Sequence, residues 1–228
     1  MKNTIINRII IQRVAKALGD LNNEVIYVGG ATVSLYINDP AADDVRPTKD
    51  IDISIKIVSI THLEEIREKL VAKGFKQSAD LGVICRFKLD DILVDVMGTS
   101  PVGWAPANPW FELGFDHKEQ LQIEEYIINI MPLPYFLASK FVAHTDRGGN
   151  DPRMSHDFED IVYILDNRTD WHEIVNYADT KVKTYLLEQF QNILHSNRMQ
   201  EAIIGNLYYE TQDKRYKMII KKIQSLFK

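Results

Sequence analysis

Hydrophobic and polar positions along the chain predict a mixed first part and a helical second part. Apolar residues recur at helical spacing over 4–18, which predicts a helix that ends at Gly19. The apolar run 25–28 predicts a short buried strand that ends in a glycine turn. A further helix is predicted over 30–37, and a polar loop follows it to residue 49.

Residues 50–57 alternate polar and apolar side chains, the pattern of a half-buried strand. Side chains two positions apart on a strand share a face. Asp50 and Asp52 are therefore expected to point the same way, and the isoleucines around them to point into the core.

The remaining pattern predicts further elements in chain order. The first part continues with a helix over 61–72 capped by Thr61 and a hairpin of strands 83–89 and 92–97 that turns at Asp90 and Asp91. It ends with a long loop over 98–117 and a strand over 126–131. Helices follow over 135–144, 156–165 with Ser155 as its cap, 170–178, 180–195, 197–207 and 212–227. The prediction is an α+β chain: a mixed sheet with flanking helices in a domain over 1–132, then a helical bundle over 133–228.

Composition adds constraints on compartment and cysteine chemistry. No apolar run approaches the ~20 residues that a membrane span needs, and the N-terminus lacks the order of a signal peptide. These features predict a cytoplasmic protein with no membrane contact. The single Cys85 excludes an internal disulfide and a multi-cysteine metal site, and its strand-like surroundings predict a packed thiol.

Charge is unevenly distributed. The formal net charge is −5, but the stretch 209–228 holds six basic and two acidic residues. Lys214, Lys217 and Lys221 follow helical spacing and are expected to share one face. A basic C-terminal helix on a chain that is otherwise negatively charged permits a local nucleic-acid contact. The alternative is that these lysines only keep a solvent-exposed helix face soluble.

The segment around Asp50 and Asp52 carries the candidate chemistry. Two carboxylates on one strand face repel each other, and a hard cation such as Mg²⁺ or Mn²⁺ relieves that repulsion. Gly29 and Gly30 let backbone N–H groups approach a phosphate closely. Either feature alone is better explained as a tight turn or a solvated strand face; the two together favour nucleotide chemistry.

Asp95 interrupts an otherwise apolar predicted strand. A lone charge there is costly unless it is paired or bound to an ion. The alternative interpretation is an ordinary aspartate on an edge strand.

The order of glycine pair, helix and Asp-x-Asp strand resembles the nucleotidyltransferase superfamily with the polymerase-beta-like fold. The residues 28–31 and 46–52 are most similar to the AbiEii/AbiGii type, nucleotidyltransferase toxins of bacterial toxin–antitoxin systems. The resemblance covers about residues 20–165. Many superfamily members have Gly-Ser where this chain has Gly29-Gly30, so a serine hydroxyl is missing from the phosphate loop.

The resemblance implies a role for each candidate residue. Asp50, Asp52 and Asp95 are the implied catalytic metal ligands, with Val94-Asp95-Val96 matching the third-carboxylate strand. The implied nucleotide-binding residues are Gly29, Gly30, Lys49, Lys140 and Asp160. Lys140 matches the family lysine that contacts phosphate, and Asp160 is expected to orient Lys140 or Arg147 rather than bind metal. Without the resemblance, Lys140 is equally a surface lysine, and Asp157 with Asp160 stabilises a helix N-terminus.

The implied function is metal-dependent transfer of a nucleoside monophosphate from a nucleoside triphosphate to an acceptor hydroxyl, with release of pyrophosphate. The implied acceptor is RNA, the 3′ end of a tRNA, and the implied protein partner is a cognate antitoxin. Two alternatives stay open: a nucleotide-binding or antitoxin-like protein of the same fold without turnover, and a transferase that modifies a small molecule of the aminoglycoside type. The intact carboxylate set favours an enzyme over the first alternative.

Overall fold

The computed structural model describes residues 2–48, 50–77, 85–103, 105–147 and 151–228. The chain folds into two compact units. The first contains Met1–Ser34 and Asp44–Pro132, and the second contains Leu35–Asp43 and Leu133–Lys228.

The first unit is built on a mixed sheet with helices. Its elements are α1 (Asn3–Leu18), β1 (Val25–Val28), β2 (Asp50–Ile55), α2 (Ile60–Ala72), β3 (Lys76–Gln77), β4 (Arg86–Leu89), β5 (Ile92–Gly98), α3 (Phe111–Asp116), β6 (Glu119–Ile123) and β7 (Tyr126–Ile130). The strand order among the described residues is β3-β4-β5-β2-β1-β7-β6. β2 pairs in parallel with β5 and antiparallel with β1, which makes β2 a central strand.

Alternation fixes the face that each central strand buries. In β2, Ile51 and Ile53 are buried while Asp50 and Asp52 are half-buried. β5 repeats the pattern, with buried Val94 and Val96 around half-buried Asp95. The expected division of faces is therefore confirmed in both strands, and it leaves the carboxylates outside the apolar core.

The second unit is helical. It contains α4 (Leu133–Arg147), α5 (His156–Asn167), α6 (Trp171–Asn176), α7 (Thr180–His195), α8 (Asn197–Gly205) and α9 (Gln212–Ser225). Ser155 caps α5 by accepting a hydrogen bond from the Phe158 N–H, as its position before the apolar repeat predicts. The fully buried Trp171 lies in the core of this unit and donates its indole N–H to the Leu165 carbonyl.

The segment Leu35–Asp43 belongs to the second unit although it precedes β2 in the sequence. Tyr36 stacks on Phe136 with ring centroids 4.3 Å apart. The Tyr36 carbonyl accepts a hydrogen bond from Arg168 at 3.1 Å. The Asn38 N–H donates to the Asn167 carbonyl at 3.2 Å. These contacts tie the segment to α4, to α5 and to Arg168, the residue after α5.

The α+β class, with a mixed sheet core followed by helices, is confirmed. Some local predictions are wrong: residues Gly30–Leu35 form a 3₁₀ helix, and α2 is capped by Ser59 instead of Thr61. The helix α3 (Phe111–Asp116) lies within the segment 98–117 that was predicted as loop. No element was predicted over Glu119–Ile123, where β6 forms the edge of the sheet, although residues 120–123 alternate polar and apolar side chains. The predicted strand over 83–89 is observed from Arg86 onward: Cys85 lies in a turn, and 83–84 lie outside the described residues.

None of the helices that the described residues form combines the length and the apolar character that crossing a membrane demands.

Candidate functional site

The sheet register brings the candidate carboxylates of the first unit together. Asp52 on β2 lies directly opposite Asp95 on β5, and Asp95 lies opposite Arg86 on β4. Directly paired residues of neighbouring strands point to the same face. Arg86, Asp95 and Asp52 therefore form one row across three strands, with Asp50 on the same face two residues before Asp52.

Arg86 donates two hydrogen bonds to Asp95. Its Nε donates to Asp95 Oδ1 at 2.7 Å, and its Nη2 donates to Asp95 Oδ2 at 2.7 Å. Both side chains are largely enclosed, with 18% of Arg86 and 13% of Asp95 exposed. A bidentate pair of this kind fixes the orientation of the carboxylate as well as its charge. Asp95 is thus held in a defined position by protein alone.

The same guanidinium also reaches Asp50. Arg86 Nη2 lies 3.5 Å from Asp50 Oδ2, while Asp50 Oδ1 accepts a hydrogen bond from the Thr48 hydroxyl at 2.9 Å. The hydrogen bonds to Asp95 raise the pKa of Arg86 above its usual value despite the opposing effect of burial. Arg86 therefore carries a permanent positive charge between two carboxylates.

Sequence reasoning missed Arg86, although a signal was present. The hairpin between β4 and β5 turns at Asp90 and Asp91, and its register pairs Leu89 with Ile92. A two-residue turn fixes the register of the whole hairpin. Counting back from the turn places residue 86 opposite residue 95, so the ion pair follows from the predicted turn.

Cys85, the neighbour of Arg86, is a buried free thiol. Burial raises its pKa to about 11, and the charge of Asp95 acts in the same direction. The thiol is therefore protonated near neutral pH and unsuited to nucleophilic chemistry. This agrees with the packed thiol that the sequence predicts.

Gly29 has a steric role that the sequence did not reveal. Its φ is +77°, and a Cβ at this position would lie 1.7 Å from Asp52 Oδ2. The Asp52 carboxylate thus packs directly against the Gly29 backbone. The following turn is closed by Thr32, whose hydroxyl donates to the Gly29 carbonyl at 2.9 Å. Any side chain at residue 29 would push Asp52 out of its row.

If this row of carboxylates is a reacting centre, we expect Gly29→Ala to reduce turnover by about a hundredfold, because displacing a reacting group by about 1 Å has an effect of that size. Gly74→Ala is a matched control: Gly74 also has a positive φ, +91°, but a Cβ there meets nothing within 4 Å. It therefore carries the backbone strain without the collision. Equal turnover in the two variants would show that Asp52 placement does not depend on Gly29.

The donor atoms on this face fit a hard divalent cation. Asp50 and Asp52 offer carboxylate oxygens, the ligands that Mg²⁺ prefers, beside a glycine turn. Within the described ranges, however, no group of three or more His, Cys, Asp and Glu side chains is close enough to hold one ion. Binding by all three aspartates stays a prediction, and Arg86 contacts two of them.

Lys140 and Asp160 lie together in the second unit. The Lys140 ammonium is buried and donates to Asp160 Oδ2 at 2.7 Å and to Asp157 Oδ1 at 3.0 Å. Arg147 adds bidentate hydrogen bonds to Asp157, at 2.8 and 3.1 Å. The expected contact between Asp160 and Lys140 is therefore present, and Arg147 pairs with Asp157. The sequence did not predict that Lys140 is almost fully enclosed.

Electrostatics explain how these charges tolerate burial. Burial alone would raise the pKa of Asp157, but hydrogen bonds and charge from Arg147 and Lys140 outweigh it and lower the pKa to about 2. Burial likewise opposes the charged form of Lys140, but Asp160 and Asp157 raise its pKa above the usual value. Asp157 and Lys140 are therefore both ionised at neutral pH.

The structure thus groups the predicted site residues in two places. Gly29, Asp50, Asp52 and Asp95 meet on one sheet face of the first unit, with Gly30 opening the 3₁₀ helix after the turn. Lys140 and Asp160 meet in the second unit. Lys49 lies outside the described residues.

Comparisons with known proteins were made on sequence and on structure. No protein-family model matches the chain, and no curated protein gives a significant match. Among solved structures, the chain is similar to an antigenic nucleotidyltransferase-like protein from Paracoccidioides brasiliensis, with 18% identity, a TM-score of 0.52 and coverage of 90% of this chain and 93% of that one. The solution structure of the antibiotic-resistance factor ANT(2'')-Ia also matches, with 15% identity, a TM-score of 0.49 and coverage of 84% and 96%. The similarity to the first of these shows that the chain has a nucleotidyltransferase-like fold.

Proposed function

We propose that this protein is a metal-dependent nucleotidyltransferase that uses a nucleoside triphosphate. One observation carries the proposal: the strand register sets Asp95 beside Asp52, with Asp50 on the same face and the Gly29 turn in contact with Asp52. Carboxylates placed this close repel one another unless positive charge offsets them, and Arg86 contacts two of the three. The nucleotidyltransferase-like fold of the chain supports the same assignment.

Each residue has a defined task in this proposal. Asp50 and Asp52 hold Mg²⁺ or Mn²⁺, which when bound neutralises triphosphate charge and polarises the reacting phosphate. The backbone N–H groups around Gly29 and Gly30 bind phosphate oxygens. Asp95, which Arg86 orients before nucleotide and cation bind, would hold a second cation and accept a hydrogen bond from the acceptor hydroxyl. The acceptor oxygen bonds to the α-phosphorus, the α–β anhydride bond breaks, pyrophosphate leaves and the hydroxyl proton passes to solvent.

The finer assignment is an AbiEii-like enzyme whose acceptor is RNA, the 3′ end of a tRNA, with a cognate antitoxin as protein partner. The chain's own support is α9, where Lys214, Lys217 and Lys221 are exposed and Ile219 and Ile223 are buried. These three lysines form an exposed stripe, whereas the ammonium of Lys222, also on α9, donates to the Thr169 carbonyl. Lys140, Asp160 and Lys49 are proposed as nucleotide contacts on the resemblance alone.

The test is incubation of the purified protein with each α-³²P-labelled nucleoside triphosphate, Mg²⁺ and total RNA, in parallel with a panel of aminoglycosides. Label in RNA supports the AbiEii-like assignment, and label in a small molecule supports the aminoglycoside-type alternative. If the protein binds nucleotide but releases no pyrophosphate in either arm, the alternative of a nucleotide-binding protein without turnover is supported.

If RNA is the acceptor, its binding should weaken steeply with salt. Phosphate contacts release counterions, so each lysine of the exposed stripe that contacts RNA contributes about one to the slope of log affinity against log salt. We expect the triple change of Lys214, Lys217 and Lys221 to Gln to reduce that slope by about three. A slope that the triple variant leaves unchanged would place RNA elsewhere on the protein.

A further inference from the structure

Arg86 lies where a cation would approach the carboxylate row, which consists of Asp50, Asp52 and Asp95. Nη2 of Arg86 lies 2.7 Å from Asp95 Oδ2 and 3.5 Å from Asp50 Oδ2. One nitrogen thus contacts an oxygen of each of two carboxylates that stand on neighbouring strands. The contact is built into the hairpin register, which places Arg86 opposite Asp95.

A cation shared by those two carboxylates competes with the guanidinium for space. Mg²⁺ binds oxygen at about 2.0–2.1 Å, so an ion held by both oxygens must lie between them. Arg86 Nη2 already lies within hydrogen-bond or ion-pair distance of the same oxygens. Its positive charge also opposes a second cation nearby. The two occupants therefore exclude each other sterically and electrostatically.

We propose, on the basis of the function proposed above, that Arg86 is a resident counter-ion that takes the place of a cation on the Asp95 side of the row. It keeps Asp95 oriented when no cation is bound there, and it must leave Asp95 before Asp95 ligates a metal. Arg86 is a positioning residue in this scheme, acting through Asp95.

The chemistry of arginine suits such an exchange. The guanidinium cannot deprotonate, so it stays positive and needs another anion when it leaves Asp95. Triphosphate oxygens match its donor geometry and bring that negative charge. Cation binding at Asp95 is thereby coupled to nucleotide binding, which disfavours metal loading on the empty protein.

The test measures divalent-cation binding directly, without activity. Mn²⁺ affinity is measured by electron paramagnetic resonance for the wild-type protein, Arg86→Gln and the matched control Lys88→Gln, all without nucleotide. Lys88 lies two residues further along the same strand as Arg86. Its change to Gln removes one positive charge, as Arg86→Gln does. We expect Arg86→Gln to bind Mn²⁺ about tenfold more tightly or better, since a close unit charge is removed. Lys88→Gln should stay within about twofold of wild type.

A second measurement serves if Arg86→Gln does not fold. In ¹⁵N-arginine-labelled wild-type protein, the Nε–Hε resonance of Arg86 is assigned by its absence in Arg86→Lys. We expect Mg²⁺ with a non-hydrolysable triphosphate analogue to shift this resonance, and Mg²⁺ alone at the same concentration to shift it much less. A resonance that stays unchanged in both conditions would overturn the proposal.

The outcomes separate this inference from the proposed function. If Arg86→Gln binds Mn²⁺ no more tightly than Lys88→Gln, while Asp52→Asn abolishes binding, the counter-ion role is wrong and the metal site stands. If no form binds Mn²⁺ with or without the triphosphate analogue, both the metal site and the counter-ion role are wrong.

Discussion

Lys140→Met should destabilise the protein by about 3–5 kcal/mol, because it leaves Asp157 and Asp160 buried without the ammonium between them. The measurement is chemical denaturation followed by circular dichroism. Lys181→Met is the matched control: Lys181 is exposed on α7, and its loss should change stability by no more than about 0.5 kcal/mol. Adding Asp160→Asn to Lys140→Met should recover part of the loss, since it removes one uncompensated charge.

The pH dependence of this cluster has a defined sign. The pKa of Asp157 is lowered to about 2 in the folded protein, so its stabilising effect is present above the unfolded pKa of about 3.9 and is lost as pH falls towards 2. The pKa of Lys140 is raised, so its contribution is present below about pH 10 and is lost above its folded pKa. Lys140→Met should remove the alkaline part of this profile.

A direct nucleotide role for Lys140 makes the opposite prediction. If Lys140→Met unfolds at the same denaturant concentration as wild type yet loses nucleotide affinity, its main task is to contact phosphate. The enclosed contacts of the ammonium favour a large effect on stability.

Asp52→Asn should lower nucleotide transfer by at least about a hundredfold while leaving the melting temperature unchanged or higher. Removing one charge-stabilising group from a reacting centre has effects of at least this size. Stability is retained because Asn keeps the shape beside Gly29 and relieves repulsion from Asp95 across the strand pair. Transfer is measured as pyrophosphate release, and melting by calorimetry.

The same variant tests the metal site. Mg²⁺ should raise the melting temperature of the wild-type protein by binding the folded state, and the rise should be lost in Asp52→Asn. Asp116→Asn is the control, since its half-exposed carboxylate pairs with Lys56 at 3.6 Å, and exposed pairs contribute little. Full transfer activity in Asp52→Asn would show that the carboxylate row is not the reacting centre.

The faces of β2 and β5 were predictable because alternation is a local property. Each side chain's neighbours two positions away decide whether a face is apolar, and Asp50, Asp52 and Asp95 stand out against isoleucine and valine. The cap at Ser155 was predictable for the same reason, since capping involves residues three positions apart.

The 3₁₀ helix at Gly30–Leu35 shows where local pattern fails. Residues 31–34 are all buried, so no polar face marks the turn period, and the β-branched Thr32 and Val33 weaken an α-helix. The enclosure of Lys140 was equally hidden. Its partner carboxylates lie 17 and 20 residues further along the chain, and only tertiary packing brings them to it.

The discontinuous second unit imposes an order on how the protein forms during synthesis. Tyr36 leaves the ribosome one hundred residues before Phe136, the ring on which it stacks. At roughly 5–20 residues per second, the segment Leu35–Asp43 waits about 5–20 s for its partners. Throughout that time the chain between β1 and β2 is a loop without its anchor. The second unit therefore completes its packing only after the whole sheet of the first unit has been synthesised.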